Sequence, residues 1–223
     1  MLLKIHVEGD TEKRFVDRIL KPHLTSLGFT VKVHINQTDA THFGGLSTYK
    51  QFRKNTLRLR DHESCLITTM IDLYQLPSGF PGKQDAESLT NAEEKVKFLE
   101  QKLQEDIAGP SPDFIPYIQL HEFEALLFSS TDTINRNLQN ATPLKLSKLE
   151  AVLHKFGGPE KIDTNKGPSV HLKEIYDDQY QKIYHGISIA EQIGLDAMRR
   201  ECPHFNNWFT RLEQLSGLQD SGL

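Results

Sequence analysis

The sequence has little of what would commit it to a zinc knuckle, a disulfide framework or a membrane. Cys65 and Cys202 are the only cysteines among 223 residues. Two so far apart make neither metal-ligand spacing nor a disulfide framework, which points to a reducing cytoplasm. No apolar run approaches the ~20 residues that span a bilayer. The N-terminus has no basic stretch leading into a long apolar segment, so neither a signal peptide nor a membrane partner is expected. No Walker glycine loop occurs, so an ATPase working with this chain would be a separate chain. Positive charge is not in excess either. A net charge of −4 excludes binding nucleic acid through an overall field, but it leaves room for a local basic groove.

What is present is an alternation of strand-like and helix-like patterns. "MLLKIHV" reads as a strand. The helical stretch "TEKRFVDRILKPHLTSLG" follows, with Phe15, Ile19, Leu20, Leu24 and Leu27 on one face and Gly28 as its stop. "FTVKVHI" is a second strand, then come a Gly-Gly loop and a helix from Leu46 to Leu59. "SCLITTMID" is apolar enough to be a central strand covered on both faces. Thr90, with Glu93 three residues on, reads as the capping box of the next helix. "DFIPYIQL" is a fourth strand, irregular or at an edge because of Pro116. Strands separated by helices of this length favour an α/β fold with a mainly parallel four-stranded sheet flanked by helices. From residue 121 onward the pattern is helical, and "GGPEKIDTNKGPS" resembles a linker. The expected organisation is an α/β domain over residues 1–130 and a helical C-terminal part over 131–223 packed on it, or one continuous domain.

Ligands of parallel sheets collect outside the carboxyl ends of the strands. Glu8 ends the first strand, Asp72 ends the third, and Glu122 and Glu124 follow the fourth. Glu12 lies one turn beyond Glu8. Carboxylates converging from separate strands repel unless something positive sits between them, and a hard divalent cation, Mg2+ or Mn2+, is the usual solution. Taken singly, Asp10 and Glu12 are more simply read as first-turn acids that favour the helix dipole. Asp72 alone could merely open a turn.

"VEGDTEKRFV", "MIDLYQLP", "HEFEALLF", "GPSVHLKEIY" and the "HGISIAEQIGLDAMRRECPHFNNWFTRLE" segment together resemble a bacterial family of unknown function with a Toprim-like fold, distantly similar to the overcoming-lysogenization-defect (OLD) nucleases. The resemblance implies metal-dependent phosphodiester hydrolysis in phage defence or DNA or RNA processing, with nucleic acid and a separate ATPase chain as partners. It makes Glu8 the Toprim glutamate, Glu12 its second glutamate and Asp72 the first aspartate of an Asp-x-Asp motif. Tyr74 stands where the second aspartate belongs, and Glu122 or Glu124 could replace that acid. Neighbouring residues point apart, so only one of the two is expected to face the site. Lys182, His185 and Lys173 are the candidate cations, although each lysine taken singly is more simply read as a solvated surface charge. His121 could orient Glu124 or a scissile phosphate, or simply start a helix. The alternative function is a Toprim-shaped scaffold that has lost its site and binds a partner ATPase or nucleic acid.

Lys50, Arg53, Lys54 and Arg58 share one face of the helix expected from Leu46 to Leu59, as a phosphate-tracking stripe would, or as any solvated face would. "HFGG" has only weak phosphate-cradle character. "ECPHFNNWF" is expected to start a helix at Pro203, with Phe205, Trp208 and Phe209 in the core.

Overall fold

The computed structural model describes residues 1–38, 42–60, 64–162 and 166–217. Its centre is a parallel sheet in the order β2-β1-β3-β4, with β1 at Leu2–Val7, β2 at Thr30–Ile35, β3 at Leu66–Asp72 and β4 at Phe114–Ile115. A further short strand, β5 (Ile118–Gln119), pairs with the upper half of β3. β4 and β5 are one strand interrupted at Pro116, the irregular edge that this proline implies. The register does not slip across the break: Thr68 stands opposite Ile115, and Ile71 opposite Ile118. The Thr69 hydroxyl fills the gap, accepting from the Tyr117 N–H and donating to the Tyr117 carbonyl, both at 2.9 Å. A side chain thus makes the ladder bonds that the kinked backbone cannot.

β3 is buried along all of its length, as its apolar sequence requires. Leu3, Ile5 and Val7 of β1 point to one face of the sheet, and Lys4 and His6 to the other. His6 stacks on Phe52 of α3 (Tyr49–Arg60) and bonds the Thr56 hydroxyl; burial pushes its pKa down to about 3, so the ring is neutral. The first helical run begins as α1 (Asp10–Phe15), opens into a π-turn at Val16–Leu20 and closes as α2 (Lys21–Ser26). Pro22 accounts for the opening, because it has no N–H to offer the Arg18 carbonyl and its ring crowds that group. The run stops at Gly28 (φ +88°), where Phe29 N–H reaches back to the Leu24 carbonyl.

Two expected boundaries move. The α3 helix starts at Tyr49 rather than at Leu46. The α4 helix (Ala92–Ile107) is capped by Asn91, not Thr90: the Asn91 side chain accepts from the N–H groups of Glu93 and Glu94. An Asn carbonyl oxygen one residue later meets the same orphan donors, and the capping-box spacing could not choose between the two.

After β5 the chain is helical: α5 (Glu124–Leu127), α6 (Thr131–Asn137), α7 (Pro143–Phe156), α8 (Pro168–Ile175), α9 (Ile187–Ile193), α10 (Leu195–Glu201) and α11 (Pro203–Gly217). The stretch read as one helix over "ISIAEQIGLDAMRR" is α9 and α10, broken at Gly194 with φ +77°. Part of the linker-like segment, residues 163–165, lies outside the described residues. These helices share one hydrophobic core with β1, α1 and α2, in which Leu3, Ile5, Phe15, Phe123, Ile187, Phe205 and Phe209 meet. A second core, under α3 and α4, covers the opposite face of the sheet through Ile67, Ile71, Phe52 and Leu99. Trp208 closes the seam between sheet and helices: it stacks on Tyr117 at 4.2 Å and donates to the Thr68 hydroxyl. Among the described residues, no helix is long and apolar enough to cross a membrane.

Candidate metal and phosphodiester site

The carboxyl edge of the sheet gathers four carboxylates around one ammonium. Glu8 leaves the end of β1 and accepts the Asp72 N–H at 3.2 Å, which ties the ends of β1 and β3 together. Glu12, one turn into α1, divides its two oxygens. One accepts the Gly9 N–H at 3.0 Å, closing the first turn of the helix; the other faces Lys182 Nζ at 3.7 Å. Glu12 therefore both closes the first turn of its helix and faces the ammonium of the cluster. Asp72 and Glu124 each lie 3.4 Å from the same ammonium. The second oxygen of Glu124 accepts from the buried Tyr180 hydroxyl at 3.2 Å, whereas Asp72 Oδ1 is buried with no hydrogen-bond partner. Lys182 reaches in from a π-turn at Lys182–Gly186, with its side chain 35% exposed. A cleft of about 310 Å³ opens beside the cluster, walled by Asp72, Glu124, Tyr180 and Lys182 together with Lys173 and Gln181.

Burial dominates the electrostatics. It pushes the Glu8 carboxyl up to about 7, and the Glu12 charge adds to it against the Asp72 N–H and Lys182. Asp72 is raised well above the usual carboxylate range by burial and by the charges of Glu12, Glu8 and Glu124, with Lys182 opposing. Glu124 is raised by burial, again against Lys182. Burial works against the Lys182 ammonium, but Asp72, Glu124 and Glu12 outweigh it and hold the group firmly protonated. Burial and the Glu124 charge likewise keep the Tyr180 hydroxyl protonated. One ammonium among four acids leaves the site short of positive charge.

The donor set suits a hard cation: buried, all oxygen, and with two carboxylate oxygens, Asp72 Oδ1 and Glu124 Oε2, that have no hydrogen-bond partner. Among the described residues no three Asp, Glu, His or Cys side chains stand in ligating geometry, and the Lys182 ammonium sits between Glu12, Asp72 and Glu124.

The other expected site residues fall in different places. Glu122 lines the cleft but turns to the N-terminus of α8, where it accepts the Ser169 N–H at 3.0 Å. Of the two acids, Glu124 is the one that faces Lys182. His185 folds its ring back on its own turn, accepting the Gln181 N–H, and is not among the residues that wall the cleft. His121 is buried in a left-handed conformation (φ +64°), with its ring 5.9 Å from that of Tyr74. It walls neighbouring pockets rather than the acid cleft. A non-glycine residue in that conformation is strained, and such residues concentrate at functional sites. Along α3, Lys50, Lys54 and Arg58 are exposed, whereas Arg53 is paired with Asp106 of α4 at 2.7 Å. The "HFGG" loop is no cradle: the Gly44 and Gly45 N–H groups are taken by the carbonyls of Asn36 and Glu8. Tyr180 was missed by sequence reasoning, and its only signal was its place two residues before a candidate lysine. A larger cavity of about 640 Å³, between α4, residues 109–116 and α11, contains no such convergence of charge.

No curated protein matches this chain. Two solved structures of the C-terminal region of the Xanthomonas campestris pv. campestris OLD protein align with it. One, phased with platinum, does so at 17% identity and a TM-score of 0.42, covering 98% of this chain and 95% of that one. The other, phased with iodine, gives 17% identity and a TM-score of 0.38 over 98% and 97% of the two chains. The profile of the family described as Domain of unknown function (DUF4276) matches residues 7–213, from the residue before Glu8 into α11. The chain belongs to the DUF4276 family.

Proposed function

We propose that this protein hydrolyses phosphodiester bonds of nucleic acid with the help of Mg2+ or Mn2+. The observation that carries the reading is the convergence of Glu8, Glu12, Asp72 and Glu124 on one point at the carboxyl edge of the sheet. The match of "VEGDTE" and "MID" to the Toprim acids supports it. Glu8, Glu12, Asp72 and Glu124 would hold the cation, which supplies charge neutralisation at the phosphate and a more acidic water. Tyr180 fixes the orientation of Glu124, and the Asp72 N–H that of Glu8. Lys182, if freed from the acids, would offset the charge that builds on a phosphate held beside them. Lys173 on α8 adds a second positive group to the wall of the cleft.

Calorimetric titration of Mn2+ tests the reading. Wild type should bind one ion, and Glu8→Gln and Asp72→Asn should lose both the binding and any Mn2+-dependent cleavage of DNA or RNA. Cleavage that survives both substitutions overturns it. The second reading is a scaffold without a metal, in which Lys182 is the permanent counter-ion. The three ion pairs of Lys182 favour it, as does Tyr74 in place of an acid, and a wild type that binds no Mn2+ would select it.

A further inference from the structure

We propose that a pocket beside Asp72, walled by Tyr74 and His121, receives one unpaired base of a single-stranded nucleic acid. The proposal rests on the phosphodiester reading only for the link between this pocket and the acid cleft. That link is built into the backbone: residues 72–74 and 121–124 each supply an acid to the cleft and a ring to the pocket. After Asp72 the chain makes one 3-10 turn (Leu73–Gln75), which leaves Tyr74 45% exposed. The Tyr74 N–H points to the His121 carbonyl at 3.4 Å, and the two rings tilt by 48° at 5.9 Å. The left-handed backbone of His121 turns its imidazole toward Tyr74 while the following residues lead to Glu124.

The pocket has a volume of about 260 Å³, apolar lining that includes Leu76 and Leu99, and polar lining from Glu87, Thr90, Lys95 and Lys83, whose ammonium is bonded to the Leu76 carbonyl. That is below the ~300–1,000 Å³ of pockets that hold drug-sized ligands, so it fits one ring system rather than a whole nucleotide. An aromatic wall, apolar lining and polar groups of both kinds, the donors Thr90 and Lys95 and the acceptor Glu87, suit a base, which is flat and apolar on its faces and carries donors and acceptors at its edges. The same edge of the sheet exposes other large apolar groups. Ile183 (50%) and Tyr184 (73%) follow Lys182 directly. Phe43 (65%) precedes Gly44 and Gly45, and the Gly45 N–H is bonded to the Glu8 carbonyl. Paired bases hide their faces in the stack, so rings presented at this edge favour an unstacked strand.

The test is fluorescence anisotropy with labelled oligonucleotides of about 12 nucleotides, a length that fills a single-strand binding track. Single-stranded DNA, single-stranded RNA of the same sequence and the DNA duplex are compared in Ca2+. Single strands should bind about tenfold tighter than the duplex, and the better of the two sugars identifies the natural strand. Tyr74→Ala should weaken single-strand binding by roughly 5- to 150-fold, the range that stacking of one base supports, while Tyr74→Phe should bind as wild type does. Far-UV circular dichroism establishes that both variants fold. Equal binding of duplex and single strand, or a folded Tyr74→Ala that binds as wild type does, overturns the proposal. The Mn2+ titration separates this outcome from the fate of the acid cleft. Ion binding without a Tyr74-dependent preference for single strands removes the pocket alone. A Tyr74-dependent preference without ion binding supports the pocket and removes the phosphodiester reading.

Discussion

At the scale of the residue, the site is a problem of unbalanced charge that one lysine only partly solves. Glu8 has its ordinary carboxyl value of 4.5 raised to about 7 in the folded chain. The folded state therefore holds an extra proton between those values, and its stabilising effect is complete below pH 4.5 and lost as pH rises through 7. The metal-free protein should lose about 1–3 kcal/mol between pH 5 and pH 8 in urea unfolding. Glu8→Gln, which cannot ionise, should flatten that slope. Mn2+ affinity should rise across the same window, because the cation needs the carboxylate. Replacing Lys182 with Met should cost the metal-free protein about 1–3 kcal/mol by removing the positive charge that Glu12, Asp72 and Glu124 share. Added Mn2+ should restore that loss and bind the variant more tightly than wild type; an unchanged affinity would mean that the ammonium does not compete for the site. Glu8 and Asp72 were legible in the sequence because each directly ends an apolar strand. Lys182 could be named only as one lysine among several, since nothing local to "YQKIYHG" says which strand end it reaches.

At the scale of the element, adjacent acids do different work. Glu122 caps α8, and the backbone of Gly167 comes so close that a Cβ there would lie 2.7 Å from its carboxylate. Glu124, two residues on, turns inward to Tyr180 and Lys182. Glu122→Ala should therefore lower stability by about 0.5–2 kcal/mol, the cost of a lost cap, with Mn2+ affinity near that of wild type. Glu124→Ala should abolish Mn2+ binding. Urea unfolding and calorimetry on the two variants check this, and the reverse result would exchange their roles. The sequence leaned to Glu124 without a geometric reason: residues two apart share a face of a strand, and the two acids part only because α5 begins after the left-handed turn at His121. The breaks at Pro22 and Gly194 were visible as residues but not as geometry. Proline and glycine mark where a helix yields, whereas the packing of its neighbours decides whether it widens, bends or stops.

At the scale of the whole molecule, the helical half completes the site of the sheet half: Tyr180 and Lys182 come from one, Glu8 and Asp72 from the other. Trp208 is the only tryptophan and lies at the seam between them. With one core running through β1, α1 and α5–α11, its fluorescence and the far-UV signal should change at the same urea concentration. Separate midpoints would show that the halves unfold independently. Replacing Thr69 with Val, which removes both bonds to the Tyr117 peptide, should move the two signals together by about 1–3 kcal/mol. Parallel strands, flanking helices and the apolar faces of α1, α4 and α11 could all be read from periodicity. Which helix lies over which strand could not, because an apolar stripe specifies that a partner exists and not its identity.

The unbroken register across Pro116 has a consequence for how this edge can vary. Each position on β3 faces the residue 47 places later, below the break and above it alike. The segment between the two short strands therefore acts as a ruler, and its length matters more than its chemistry. Exchanging Pro116 for another residue leaves the count intact. Removing one residue would draw the following chain back by about 3.3 Å and turn its side chains to the opposite face. Gln119 would then no longer lie opposite Asp72, and Glu124 would reach the wrong side of the sheet.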